Sequence, residues 1–382
     1  MVYKVIGLMS GSSMDGLDIA YVHLQERPAS NKQAVKHWDF ELIHTACYAY
    51  PDSWKQRLAA APALPALDYQ LLHVEYGHYL GEQVVRFIEE FSLEYKVQLI
   101  VSHGHTAFHW PARKMTAQLG DGAAIAARTR VNVVSDLRAM DLALGGQGAP
   151  IVPVGEELLL PGYELFLNLG GIANVSKHGA AAAGGGGEEA AAAASGFLAF
   201  DVCPANRVLN ALAELERRAY DEGGALASTG RIDHPLLTQL NALPYYGMPY
   251  PKSLANEFGT EVVWPLIVQV MGERGLSVAD ALRTYVEHIA LQVARAVEAL
   301  GGGARMLVTG GGAHNVFLVE RLRSRLGFEV VVPDRALVDY KEALIMALIG
   351  VLRWREENNV MASVTGASRD SIGGAVWIGQ EA

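Results

Sequence analysis

Cysteine is nearly absent. Cys47 and Cys203 are the only two in 382 residues. They form neither a metal-ligand spacing nor a disulfide framework, so a reducing, cytoplasmic setting is expected. No apolar run approaches the ~20 residues that span a bilayer. The chain opens on a strand-like run with no charged leader before an apolar core, so neither a membrane anchor nor a secretory signal is expected. Long basic runs are missing too. With 31 Lys and Arg against 41 Asp and Glu, the net charge is −10, which argues against a nucleic-acid partner. An acidic chain can still hold a nucleotide, because local N–H groups and a divalent cation then carry the binding. Two familiar phosphate signatures are absent as well: the Walker pattern, and G-x-G-x-x-G followed by a helix.

What is present is a globular composition, 51% hydrophobic and 19% charged, long enough for two domains with substantial cores. The chain is organised around Gly7 to Asp18. The apolar run Val2, Val5, Ile6 reads as a strand, and Leu17, Ile19, Tyr21 as its return. Between them Gly11, Ser12, Ser13, Met14, Asp15 and Gly16 form a turn. Two glycines, two hydroxyls and a carboxylate there suit a nest of backbone N–H groups aimed at an anion. A Gly/Ser turn can also be only a turn.

Further along, Leu67–Phe91 has helical apolar spacing. The run Val97–Val101 reads as a buried strand ending in Ser102-His103-Gly104-His105-Thr106, and Val131–Ser135 as a strand delivering Asp136 and Arg138. Gly145-Gly146-Gln147-Gly148-Ala149-Pro150 is too rich in glycine for an element interior. Leu165–Leu169 ends in Gly170-Gly171, and Met306–Thr309 in Gly310-Gly311-Gly312-Ala313-His314-Asn315. Residues 179–195 are low in complexity, with no core-forming role, and are expected to be a flexible hairpin loop. His103, His105 and His109 invite a zinc reading, but no carboxylate motif accompanies them and structural hydrogen bonding is the better expectation. Strand-then-helix units recur in both halves, with glycine turns after Ile6, Leu167 and Val308. Two α/β domains that each contribute a loop to a cleft fit this better than one doubly wound sheet. No sequence repeat is visible.

Taken together, these stretches resemble one family. They include Gly7–Asp18, His103–Thr106, Gln118–Gly122, Asp136–Arg138, Gly145–Pro150, Asn168–Asn174, Pro251-Lys252-Ser253, Gly310–Asn315, Lys341-Glu342-Ala343 and Ser363–Gly366. Their order over nearly the whole chain is that of anhydro-N-acetylmuramic acid kinases. The resemblance implies a two-lobed ribonuclease-H-like (actin-like ATPase) α/β fold with the active site in the interdomain cleft. The expected lobes are 1–130 with 365–382, and 131–364. It implies ATP with Mg²⁺, a homodimer, and coupled hydrolytic opening of 1,6-anhydro-N-acetylmuramic acid with phosphorylation of O6 in peptidoglycan recycling. A kinase for another sugar, or a weakly catalytic nucleotide-binding protein, is the alternative.

The same resemblance suggests residue roles. Asp201 would be the general base, with Glu342 supporting catalysis. ATP and its phosphates would meet Gly11, Ser12, Ser13, Met14, Asp15, Gly16, Leu17, Asp18, Gly170, Gly171, Gly310, Gly311, Gly312 and Asn315. Mg²⁺ would sit near Asp15 without direct protein ligation. The sugar would meet His103, Asp136, Arg138, Gly145, Gly146, Gly148 and Asn206. One departure stands out: the family reads Asp-Thr-Gly-Pro-Gly-Asn, whereas this chain reads Asp201-Val202-Cys203-Pro204-Ala205-Asn206. Two glycines, which permit positive φ, and one hydroxyl are replaced.

Overall fold

The computed structural model describes residues 1–11, 14–28, 36–179, 198–249, 252–255 and 257–379. From residue 180 onward, the stretch expected to be a flexible loop lies outside the described residues, as do Ser12 and Ser13. The chain divides into two compact units, Met1–Pro161 with Tyr340–Ala382, and Gly162–Asp339. The first unit therefore extends past residue 130 and resumes before residue 365.

The first unit contains strands β1 (Val2–Ser10), β2 (Gly16–Glu26), β3 (Trp38–Ala49), β4 (Leu99–Ser102), β5 (His105–Trp110), β6 (Met115–Leu119) and β7 (Val133–Ser135). In the second unit lie β8 (Leu165–Leu169), β9 (Ile172–Lys177), β10 (Leu198–Pro204), β11 (Arg305–Thr309) and β12 (Glu329–Val331); β13 (Ala375–Trp377) returns to the first. The first sheet has the order β13-β7-β4-β1-β2-β3. Strands β1, β2 and β3 form an antiparallel meander, while β4 runs parallel to β1 and β7 parallel to β4.

Val5, Ile6 and Leu8 on β1 are all buried, as expected of a strand covered on both faces. On one side lies the helix Ala66–Glu90, whose buried stripe Leu72, Tyr76, Leu80, Val84 and Phe87 keeps the helical period. On the other side, the helix Arg335–Trp354 comes so close that a Cβ on Gly7 would overlap the carbonyl of Ala343. Glycine at that position is what allows the contact.

The second sheet, β10-β9-β8-β11-β12, repeats the scheme. Strands β8, β9 and β10 are an antiparallel meander, and β11 and β12 add on parallel. Its core joins Leu165, Leu167 and Val308 to Leu282, Tyr285, Ile289 and Val293 of the helix Val278–Ala299. Both units are thus ribonuclease-H-like, although the sequence shows no repeat. No helix among the described residues is long and apolar enough to cross a membrane.

Residues 105–119 form the β5–β6 hairpin. The last long helix begins at Arg335, with non-helical φ/ψ at Tyr340. Just beyond Tyr340, Lys341 Nζ lies 2.7 Å from Glu156 Oε1, with the two side chains 4% and 3% exposed. Removing one member of such a pair strands a buried charge, at a cost of about 3–5 kcal/mol. Lys341→Met should therefore lower the unfolding free energy measured by urea titration by about 3–5 kcal/mol. Glu156→Leu in the same chain should recover most of the loss. Equal stability of Lys341→Met and the parent would show that the pair carries no such constraint.

Candidate active site

Because β1, β4 and β7 are parallel neighbours, their carboxyl ends share one edge of the first sheet. Ser10, Ser102 and Ser135 end them, so the turn after Ser10, His103 and Asp136 all emerge there. Ligands of open α/β sheets bind at such edges. In the turn, Met14 takes a left-handed φ of +56° and its N–H points to Gly11 O at 3.4 Å. Leu17 is buried in the core and offers only its backbone to a ligand, whereas Asp15 is exposed.

A buried hydroxyl cluster holds the base of this turn. Ser10 Oγ lies 2.9 Å from both Tyr50 Oη and Tyr76 Oη, which are 2.6 Å apart, and 3.4 Å from His105 Nδ1. Tyr50 also donates its N–H to Asp15 O at 3.2 Å. One residue therefore ties both ends of the turn. Burial pushes the Tyr50 phenol up to about 12, keeping it a neutral donor.

Beside the turn, His103 is buried, with Nδ1 2.9 Å from Gly104 O. Burial, reinforced by the Arg138 charge, lowers its pKa to about 4, so the ring is neutral at pH 7. Arg138 donates to Gly148 O at 2.6 Å and to Thr106 Oγ1 at 3.2 Å, and it reaches His109 Nδ1 at 3.2 Å. Burial lowers its pKa to about 10, which leaves it charged. The fully buried Asp141 receives Gly148 N and Thr365 Oγ1, each at 2.6 Å, and its carbonyl accepts Gly146 N at 2.9 Å. These contacts fix Gly145–Pro150, whose Ala149-Pro150 bond is cis. Asp136 is exposed at φ +54° and takes the Ser135 hydroxyl at 2.9 Å. Left-handed non-glycine residues of this kind concentrate at functional sites.

Glu342 lies on the helix that packs against β1. Its pKa is raised, chiefly by burial, with Lys341 pulling it down and Glu156 pushing it up. The three histidines do not converge as metal ligands would. His103 meets a backbone carbonyl, His105 meets Ser10, and His109 meets Arg138 and Thr116. Among the described residues no cluster of three or more His, Cys, Asp or Glu could hold a metal. The exposed Asp15 carboxylate has no side-chain partner among the described residues. It suits outer contact with a hydrated cation carried on phosphates.

The second unit repeats the edge geometry. Gly170 and Gly171 follow β8, and Gly310 follows the parallel β11. Gly310 has φ +80°, and a Cβ there would overlap Asn168 Oδ1. Asn206 donates to Leu169 O at 2.9 Å, and its N–H reaches Gly170 O at 3.1 Å. Asn206, expected on the sugar side, thus stands beside the glycine turns Gly170–Gly171 and Gly310–Gly312. The side-chain oxygen of Asn315 caps the helix Val316–Leu326 through Leu318 N at 2.9 Å.

Asp201 is half-buried on β10, the edge strand next to β9, at a bulge between Asp201 and Cys203. Its Oδ2 accepts Leu254 N at 2.9 Å. Burial raises its pKa, and that hydrogen bond opposes the rise. Among the altered turn residues, neither Val202, Cys203 nor Ala205 takes a positive φ, so the missing glycines leave no left-handed strain.

Sequence reasoning gave no role to the supporting polar residues Tyr50, Tyr76, Asp141, Thr365, Glu156 and Tyr245. Each has a partner far off in the chain, from 26 residues for Tyr50 with Tyr76 to 224 for Asp141 with Thr365, and three-dimensional packing brings these together.

The sequence profile of the family "Anhydro-N-acetylmuramic acid kinase" matches residues 3–379. Relatives named anhydro-N-acetylmuramic acid kinase are similar along almost their whole length. The Rhodococcus erythropolis protein is 36% identical over 98% of this chain and 94% of its own. The Streptomyces coelicolor protein is 35% identical over 99% and 94%, and the Sulfurovum protein 30% identical over 98% and 99%. With the order of the strand-end turns already established, these matches mean that the chain belongs to the anhydro-N-acetylmuramic acid kinase family.

Proposed function

We propose that this protein is an ATP-dependent kinase that opens 1,6-anhydro-N-acetylmuramic acid with water and phosphorylates the released O6. The product is N-acetylmuramic acid 6-phosphate, and the setting is cell-wall recycling in the cytoplasm. The observation that carries the reading is Asp201. It is a half-buried carboxylate with a raised pKa, at a bulge within the edge strand β10 of the unit that holds the glycine turns.

In this mechanism Asp201 takes a proton from water as the water oxygen bonds to the anomeric carbon and the C1–O6 bond breaks. O6 then accepts the γ-phosphoryl group, and ADP leaves. Phosphoryl transfer needs positioning and charge stabilisation more than covalent chemistry. The turn Gly11–Asp18, Ser12 and Ser13 included, offers N–H and hydroxyl donors to the phosphates. Gly170, Gly171 and Gly310–Gly312 let backbone lie close to the nucleotide. Mg²⁺, with waters facing Asp15, would neutralise phosphate charge. On the sugar side, His103 offers a neutral imidazole, Arg138 a fixed cation and Asp136 an exposed carboxylate. Glu342 supports the reaction as a carboxyl whose pKa is raised by burial.

Release of ADP should depend on the anhydro-sugar and be far slower with ordinary hexoses. Activity on a hexose with none on the anhydro-sugar would overturn the substrate assignment. Asp201→Asn should keep ATP binding while turnover falls at least roughly a hundredfold.

The raised pKa adds a pH test. A base works deprotonated, so kcat/KM should fall as pH drops through a value above the ordinary 3.8 of Asp. For stability the sign is opposite: a carboxyl whose folded pKa is raised costs stability once pH exceeds its unfolded pKa. Asp201→Asn should therefore raise Tm at pH 7, and the gain should vanish near pH 4. A Tm for Asp201→Asn below that of the parent at pH 7 would contradict the desolvated carboxylate.

A further inference from the structure

Lys252 and Ser253 stand out in the sequence, yet the phosphate, sugar and base assignments give them no task. Around Asp201 the contacts of this segment close into a ring. Asp201 N donates to Lys252 O at 3.1 Å, and Lys252 Nζ donates to Tyr245 O at 3.0 Å. Tyr245 Oη then donates back to Asp201 O at 2.5 Å. Two residues past Lys252, Leu254 N holds the Asp201 carboxylate at 2.9 Å. The Lys252 ammonium also lies 4.5 Å from the centre of the Tyr245 ring, within cation–π range.

The ring sits where the sheet gives Asp201 least support. Strand β10 is an edge strand, and its pairing with β9 slips at the bulge between Asp201 and Cys203. An edge strand leaves one row of N–H and C=O groups unpaired, and Lys252 O and Tyr245 Oη take up the pair belonging to Asp201. The ring is anchored in the core. Tyr245 is 6% exposed and packs on Tyr246 and Phe258 at 5.6 and 5.5 Å between ring centres. Tyr246 Oη meets the fully buried His288 at 2.9 Å.

We infer that Tyr245 and Lys252 are positioning residues for Asp201, forming a clamp that aligns its carboxylate with the Leu254 N–H and the attacking water. The inference rests on the reading of Asp201 as general base. The segment fixes the direction in which the base points. Small errors in such direction are costly, a displacement of about 1 Å being worth on the order of a hundredfold in rate.

The test uses the full chain with ATP and 1,6-anhydro-N-acetylmuramic acid, comparing Tyr245→Phe, Lys252→Met and Lys252→Arg with Asp201→Asn. Tyr245→Phe and Lys252→Met should lower kcat roughly 10- to 100-fold while the KM for ATP stays put. Their acid limb should move to higher pH, because a carboxylate that loses an N–H donor is less favoured in its charged form. Lys252→Arg keeps a cationic donor and should recover most of the rate. A loop with only a structural role would lower Tm and leave the acid limb in place, and that result overturns the clamp. An inactive Asp201→Asn beside a normal Tyr245→Phe removes the clamp alone. An active Asp201→Asn removes the base assignment and the clamp with it. If Tyr245→Phe does not fold, Lys252→Met, which keeps most of its stem against the Tyr245 ring, decides the same question.

Discussion

Parallel pairing is the constraint from which the arrangement of this protein follows. A parallel strand cannot be joined to its neighbour by a tight turn; the chain must cross over, usually through a helix. Consecutive parallel strands therefore begin at one edge of a sheet and end at the other. In the first unit this puts Ser10, Ser102 and Ser135 on a common edge, although they are far apart in the chain. In the second, the same rule aligns Leu169 with Thr309. The antiparallel strands add the remaining feature. The outermost of them in the second unit, β10, has one free edge, and there Asp201 finds hydrogen-bond partners outside the sheet.

Those edges are held by buried polar groups, which are poor sources of net stability. An ion pair as deeply buried as Lys341–Glu156 gives little over an apolar pair of the same volume, but breaking it costs several kcal/mol. That is a large share of the ~5–15 kcal/mol by which a domain is folded. The same asymmetry applies to Asp141, which accepts from Gly148 and Thr365, and to Ser10, which lies between two phenols. Such groups stabilise one geometry by making others expensive. Their placement next to Glu342, the Gly145–Pro150 loop and the opening turn matches a need for fixed loops rather than for extra stability.

Much of the fold was legible in the sequence because it is written in local periodicity. The apolar stripe of Ala66–Glu90 and the short buried runs at Leu99–Ser102, Leu165–Leu169 and Arg305–Thr309 identify themselves. The β5–β6 hairpin does not. Its strands carry His, Thr and Gln among their apolar residues, and the pairing shifts between Thr106 and Phe108, which breaks the alternation. The start of the last long helix was hidden for a related reason: its apolar run begins only after the irregular Tyr340. The strand-end turns could be read from glycine content. The hydroxyl cluster, the Asp141 contacts and the ring around Asp201 depend on residues distant in sequence, which no periodicity connects.

The altered turn after Asp201 shows which part of a motif its geometry requires. Val202 is 3% exposed, and Cys203 and Ala205 are wholly buried. A hydroxyl at 202 would have to find a buried partner or remain unsatisfied; valine keeps the β-branched shape without that demand. Cys203 behaves as a small apolar residue, and burial pushes its thiol pKa up. Ala205 uses its N–H on Gly171 O at 2.8 Å, a bond that alanine makes as well as glycine. All three replacements therefore fall on buried side chains. The two polar residues that bracket them, Asp201 and Asn206, keep the contacts described here. The turn needs a backbone path that starts at a bulge and ends against Gly170–Gly171, and several side chains can accompany that path.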